Sequence, residues 1–133
     1  ISYLEVKVQS RTFMSVEKIL PNSNLKPSET IALNLSDLER YFEIHEREKI
    51  DLYIVWCLKN RNCINNQNTD LYFHQNIKEL EKIRLNDKNN SRKFKRASGI
   101  GDIVNDQHKG VLVNYHFSLN ELIEGLPTII NTY

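Results

Sequence analysis

The sequence predicts a single α/β domain with a mixed central β-sheet flanked by helices. Three observations predict it. Residues 2 to 10 alternate polar and apolar, as a half-buried strand does. Residues 51 to 58 form an almost unbroken apolar run rich in β-formers. Two further segments place apolar residues at helical spacing behind capping signals. The 133 residues suffice for one sizeable core but not two, so residues 1–133 are read as one domain.

In the first strand successive side chains alternate between faces, so Leu4, Val6 and Val8 are expected in the core and Tyr3, Glu5, Lys7 and Gln9 outside. The chain opens on Ile1 directly into this strand, and an upstream segment is therefore expected before it. Pro21 and Pro27 limit any helix between Met14 and Leu25, and Ile31 to Leu33 reads as a short strand. At Ser36 a helix begins, with Glu39 completing a capping box. Leu38, Tyr41, Phe42 and His45 form its buried stripe, and it should end near Lys49. Glu43 and Arg47 make a favourable pair one turn apart on its exposed side.

Asp51 to Leu58 is expected as the central strand, covered on both faces. The asparagine-dense Asn60 to Asn68 suits a turn, and Leu71 to Phe73 resumes as the return strand of a hairpin. Asn76 with Glu79 repeats the capping spacing ahead of a helix bearing Ile77, Leu80 and Ile83. A basic loop follows, with Lys88, Arg92, Lys93, Lys95 and Arg96 around Phe94, then Gly99 and Gly101. Val111 to Tyr115 reads as a strand, and Ser118 with Glu121 caps a last short helix ending at Gly125.

Composition excludes several function classes. The net charge of +1 gives no global attraction to nucleic acid or anionic lipid, so any such contact must come from local clustering. No apolar run reaches the roughly 18 residues of a membrane span, and no secretory leader pattern is present; no membrane partner is expected. Cys57 and Cys63 form neither a metal-binding pair nor a disulfide framework, which fits a reducing, cytoplasmic setting. His45 sits on a helix stripe and reads as a packed, hydrogen-bonded residue. His74, His108 and His116 lack metal-ligand spacing, and Walker, Rossmann and Gly-x-Ser-x-Gly signatures are absent.

The motif carrying chemistry is Glu5-Val6-Lys7. Two residues apart on a strand means one face, with Cα atoms roughly 6.5 Å apart, so a carboxylate and an ammonium reach the same phosphate. With 11 Glu and 11 Lys in the chain, chance alone gives about one Glu-x-Lys, so the tripeptide signifies only in its context. In context, Leu4-Glu5-Val6-Lys7-Val8-Gln9 resembles the (D/E)xK strand of the PD-(D/E)XK nuclease superfamily, and the predicted helix and apolar strand that follow suit it. The resemblance spans residues 2 to 58. It implies a restriction-endonuclease-like core and metal-dependent cleavage of DNA of restriction, defence or repair type.

Under that resemblance Glu5, Lys7 and, more loosely, Gln9 are the catalytic candidates. Glu5 and the Val6 carbonyl are the expected ligands of Mg2+ or Mn2+, and Lys7 would orient or deprotonate the attacking water. The superfamily's other acid has no counterpart among the four residues before Glu5 and is expected upstream. Asp102, between Gly101 and Ile103, reads as a turn residue rather than its replacement. DNA contacts are assigned to Lys88, Arg92, Lys93, Lys95 and Arg96, with Phe94 available for stacking, and double-strand cutting would call for a homodimer. The competing reading is a non-catalytic nucleic-acid- or protein-binding module, in which Glu5 and Lys7 are only a surface ion pair.

Overall fold

Two main β-sheets, rather than the single one expected, organise the described residues. The structure, a computed structural model, describes residues 2–10, 13–59, 70–88, 90–97, 103–104, 107–108 and 111–128. In chain order these form β1 (Ser2–Gln9), a one-turn helix α1 (Val16–Ile19), β2 (Thr30–Asn34), α2 (Leu35–Glu48), β3 (Asp51–Leu58), β4 (Leu71–Asn76), α3 (Ile77–Asn86), β5 (Lys93–Ala97), β6 (Ile103–Val104), β7 (Gln107–His108), β8 (Val111–Ser118) and β9 (Ile123–Glu124). The first sheet has the order β1-β3-β4-β9 and is mixed: β1 runs parallel to β3, and the other pairs are antiparallel. The second has the antiparallel order β2-β8-β5, and β6 with β7 makes a separate ribbon. The expected Asn60 to Asn68 turn, Cys63 and the Gly99 to Asp102 stretch lie outside the described residues.

One core joins both sheets and both long helices. Leu52, Ile54, Trp56 and Leu58 of β3 meet Ile31 and Leu33 of β2, Leu38 and Tyr41 of α2, Ile77 and Leu80 of α3, and Tyr115 and Phe117 of β8. Valine, isoleucine and aromatic side chains suit the pleated surface of a strand buried on its broad faces, which explains why β3 occupies an inner position. The other face of the second sheet carries a smaller core, in which Val16, Leu20 and Leu25 pack with Phe13 and Phe94.

The helix boundaries follow local hydrogen bonding. Asn34, not Ser36, caps α2, its side chain accepting from the Ser36 N–H at 3.0 Å. A cap two residues earlier satisfies one of the helix's orphan donors equally well, and β2 delivers Asn34 in place for it. At the other end Lys49 turns left-handed at φ 54°. His45 points its Nδ1 at the Ile50 carbonyl, 2.7 Å away, as a packed histidine should, and Glu43 and Arg47 pair at 3.8 Å. Asn76 caps α3 as expected, accepting from the Lys78 N–H at 2.9 Å. The Ser118 and Glu121 capping box forms, but it closes a single 3-10 turn, Leu119–Glu121, instead of an α-helix.

Two further expectations are corrected. The first is the facing of β1: Leu4, Val6 and Val8 are exposed at 44%, 58% and 63%, whereas Glu5, Lys7 and Gln9 are half-buried on the core side. The register sets Glu5, Lys7 and Gln9 beside Ile54, Trp56 and Leu58, so they share the buried face of β3. Because β1 is the edge strand, its inward side chains meet polar groups of α2 and β2 instead of the apolar middle of the core. The second correction concerns the basic segment, only the first part of which is a loop: Lys88 and Arg92 lie in the turns before β5, but Lys93 to Ala97 pair with Val111 to Tyr115. The period-two alternation turns Phe94 onto the smaller core and leaves Lys93 and Lys95 exposed.

The bend into β5 is built on Asp87. Its carboxylate accepts from the Ser91 N–H at 3.0 Å, the Ser91 hydroxyl at 2.8 Å, the Arg92 N–H at 3.1 Å and the Tyr115 hydroxyl at 3.1 Å. Burial works against its ionisation, but these donors outweigh it and hold the carboxyl below its ordinary value of 3.8. Nearby, His116 is buried edge-on to the Phe13 ring, with Nδ1 donating to the Arg92 carbonyl at 3.0 Å. Burial pushes its pKa below the ordinary 6.5, against the pull of that hydrogen bond.

Both depressed values have the same sign in linkage. Each group contributes stability that is complete above its unfolded pKa and is lost as pH falls through the folded one. Acidification is therefore expected to weaken the fold in two stages, beginning below 6.5 with His116 and continuing below 3.8 with Asp87. Urea midpoints measured across this range check the order. His116→Gln should flatten the first stage and leave the second, and a midpoint independent of pH near 6 in the parent chain would show that the imidazolium is readily accommodated.

Candidate active site

Where α2 begins, its first turn crosses the C-terminal half of β1, and five side chains converge. Glu5 and Lys7 come from β1; Asp37, Arg40 and Tyr41 come from α2. The Lys7 Nζ lies 3.7 Å from a Glu5 oxygen and 3.5 Å from Asp37 Oδ2, so one ammonium is shared by two carboxylates from different elements. Arg40 holds the other Asp37 oxygen at 3.0 Å, and both cations stand over the Tyr41 ring, 5.4 Å and 5.2 Å from its centroid. The site opens to solvent: the Glu5, Lys7 and Asp37 side chains are 43%, 29% and 27% exposed.

The surroundings of Lys7 bear on its charge state. Burial alone would lower its pKa, but the Tyr41 hydroxyl, Asp37 and Glu5 together raise it above the ordinary lysine value. It is therefore held in its charged, ammonium form. Arg40 is likewise held more firmly charged, chiefly by the Tyr41 hydroxyl and then by Asp37.

The other sequence candidates lie elsewhere. Gln9 shares the face of Glu5 and Lys7, but its amide reaches β2, donating to the Thr30 carbonyl at 3.3 Å and accepting from the Ala32 N–H at 3.4 Å. The Val6 side chain is on the opposite face, and its carbonyl lies in the sheet plane on the outer edge of β1. This follows from Gln9, whose carbonyl accepts from the Lys59 N–H at 3.0 Å: odd-numbered residues turn their backbone to β3 and even-numbered ones turn away.

Among the basic residues, Lys88, Lys93 and Lys95 are exposed, Arg92 is ion-paired with Glu121, and the Arg96 side chain lies outside those described. Lys93 and Lys95 lie on β5, the far edge of the second sheet, two strands from the β2 backbone that Gln9 touches, and Lys88 and Arg92 lie in the turns that lead into it. Structure thus keeps the basic stretch apart from the Glu5 cluster.

Sequence reasoning missed Asp37, Arg40 and Tyr41 as site residues, having placed Tyr41 only in the helix stripe. The one local signal was an acid in the first turn of the predicted helix; because that helix follows β2, a strand of the second sheet, no sequence spacing placed its first turn against Glu5. Among the described residues no three His, Cys, Asp or Glu side chains gather as a ready-made metal cage. Compared with protein-family models, curated proteins and solved structures, the chain finds no match in any of the three.

Proposed function

We propose that this domain hydrolyses phosphodiester bonds in DNA with the help of Mg2+ or Mn2+, at the site formed by Glu5, Lys7 and Asp37. The observation that carries this reading is the second carboxylate: Asp37 lies within 3.5 Å of the same ammonium that Glu5 approaches at 3.7 Å. The donor set suits a hard cation, which takes one or two carboxylates and completes its shell with water and substrate phosphate oxygens. When bound, the cation supplies Lewis acidity and a water acidified toward neutrality.

Charge balance supports an exchange of partners. As it stands, two carboxylates are neutralised by Lys7 and Arg40. An incoming phosphate would draw Lys7 and Arg40 onto its oxygens, turning the carboxylates toward a divalent ion, and the total charge would remain near zero. In this arrangement Lys7 and Arg40 together would offset negative charge that grows on the phosphoryl oxygens, while Glu5 and Asp37 face the divalent ion.

A second reading is favoured by the completeness of the ion network, which is half-exposed and self-satisfied, and by the exposed Lys93 and Lys95 on β5. There the domain is a non-catalytic nucleic-acid- or protein-binding module, and each pair contributes only about 0–1 kcal/mol. Supercoiled plasmid incubated with the protein and Mg2+, Mn2+ or chelator separates the two. Hydrolysis predicts nicking that needs the metal and disappears in Glu5→Gln and Asp37→Asn. Binding without metal-dependent nicking would favour the module.

A further inference from the structure

We propose that β1 is a self-complementary interface on which a second copy of this chain docks, extending the sheet by antiparallel β1–β1 pairing about a two-fold axis at Val6. The edge is prepared for a strand. Among the described residues nothing pairs with the outer side of β1 over its eight residues, and the strand holds neither proline nor glycine. Of the usual protections of a sheet edge, proline, bulges, covers and charge, β1 carries charge alone among the described residues, in Glu5 and Lys7. The backbone N–H and C=O groups of Leu4, Val6 and Val8 point outward, because the odd-numbered residues bond to β3. The side chains of the same three residues form an exposed apolar ridge on one face.

Charge complementarity selects the occupant and its register. In an antiparallel pair centred on Val6, Leu4 lies opposite Val8 of the second copy, Val6 opposite Val6, and Glu5 opposite Lys7. All outward-pointing residues then form hydrogen-bonded pairs, giving about six backbone hydrogen bonds. The apolar ridge becomes continuous across the axis, and on the other face each carboxylate meets an ammonium. Slipping by one hydrogen-bonded pair in either direction sets Glu5 against Glu5 or Lys7 against Lys7, and like charges directly opposite are destabilising. The strand thus reads nearly the same in both directions, with its charges inverted where self-pairing needs them.

Edge pairing of this extent buries less than a standard interface, so a concentration-dependent dimer is expected. This pairing stands independently of the hydrolytic reading. Sedimentation velocity across a wide concentration range should show a monomer and dimer in equilibrium. Glu5→Lys and Lys7→Glu should each weaken self-association about tenfold, since each sets like charges across the axis. Mixed in equal amounts, the two variants should dimerise again, because every cross-axis pair becomes opposite in sign. In a Cys63→Ser background, Val6→Cys should cross-link on mild oxidation and Val8→Cys should not, because only residue 6 faces itself.

A chain that is monomeric at every concentration overturns the proposal. So does a dimer that both single charge variants leave intact, and so does failure of the mixed variants to associate. Cross-linking through residue 8 but not residue 6 would assign the edge to another register. An edge claimed by a different protein or segment would appear as a monomer whose Val6→Cys thiol never pairs with itself.

Discussion

Replacing Lys7 with alanine is expected to lower metal-dependent nicking by about a hundred- to a thousandfold, the range seen when one preorganised stabiliser of transition-state charge is removed. The ammonium is the group that Glu5 and Asp37 share, and the Tyr41 hydroxyl together with those two carboxylates holds it charged. On the hydrolytic reading, its loss would leave the phosphoryl oxygens one cation short as negative charge accumulates on them, while both carboxylates would remain to hold a divalent ion. Metal affinity should therefore persist or rise as activity falls, an opposition that simple unfolding would not produce. Stability should change by no more than about 1 kcal/mol, because the ion pairs are partly exposed. Lys7→Met, which keeps an apolar stem against the Tyr41 ring, should be as inactive as alanine and closer to the parent in stability. Nicking rates beside urea midpoints check this, and wild-type nicking by Lys7→Ala would remove Lys7 from the mechanism.

What could be read from the sequence was mostly local. The apolar run of β3, the stripes of α2 and α3, the Asn76 cap and the Ser118–Glu121 box all depend on residues within one or two turns of each other, and all are present. The division into two sheets was not legible, because β2 finds its partner in β8 across most of the chain, Thr30 pairing with Ser118 and Asn34 with Asn114. No local pattern encodes such a pairing.

The facing of β1 failed for a related reason. Alternation separates two sets of residues without saying which set is inside, and the apolar set was assigned to the core by default. At a sheet edge, Asp37, Arg40 and the β2 backbone supply polar partners, and the polar set turns inward to meet them. For the site, the common face of Glu5 and Lys7 followed from spacing alone. Asp37 joins them only because a helix thirty residues later crosses that strand.

The largest loss of stability from a single truncation is expected at Trp56, where alanine should cost about 3–5 kcal/mol, a large share of the 5–15 kcal/mol typical of a domain. The side chain is fully buried on the core face of β3, with Lys7 beside it on β1 and Phe73 on β4. Its Nε1 donates to the Ala32 carbonyl of β2 at 3.4 Å, and its ring centroid lies 6.4 Å from that of Phe117 on β8. It thus reaches from the first sheet to the second, and truncation opens a cavity at their junction while leaving a carbonyl with one donor fewer. Trp56→Phe should cost roughly half as much, since it retains most of the apolar volume and loses the hydrogen bond. Trp56 is the chain's one tryptophan, so far-ultraviolet dichroism rather than fluorescence must follow the urea transition. The cavity would also lie beside the part of β1 that carries Lys7, so the alanine variant should lose nicking activity under conditions where it remains folded. A cost below about 1 kcal/mol would mean that the two sheets are held together without this side chain.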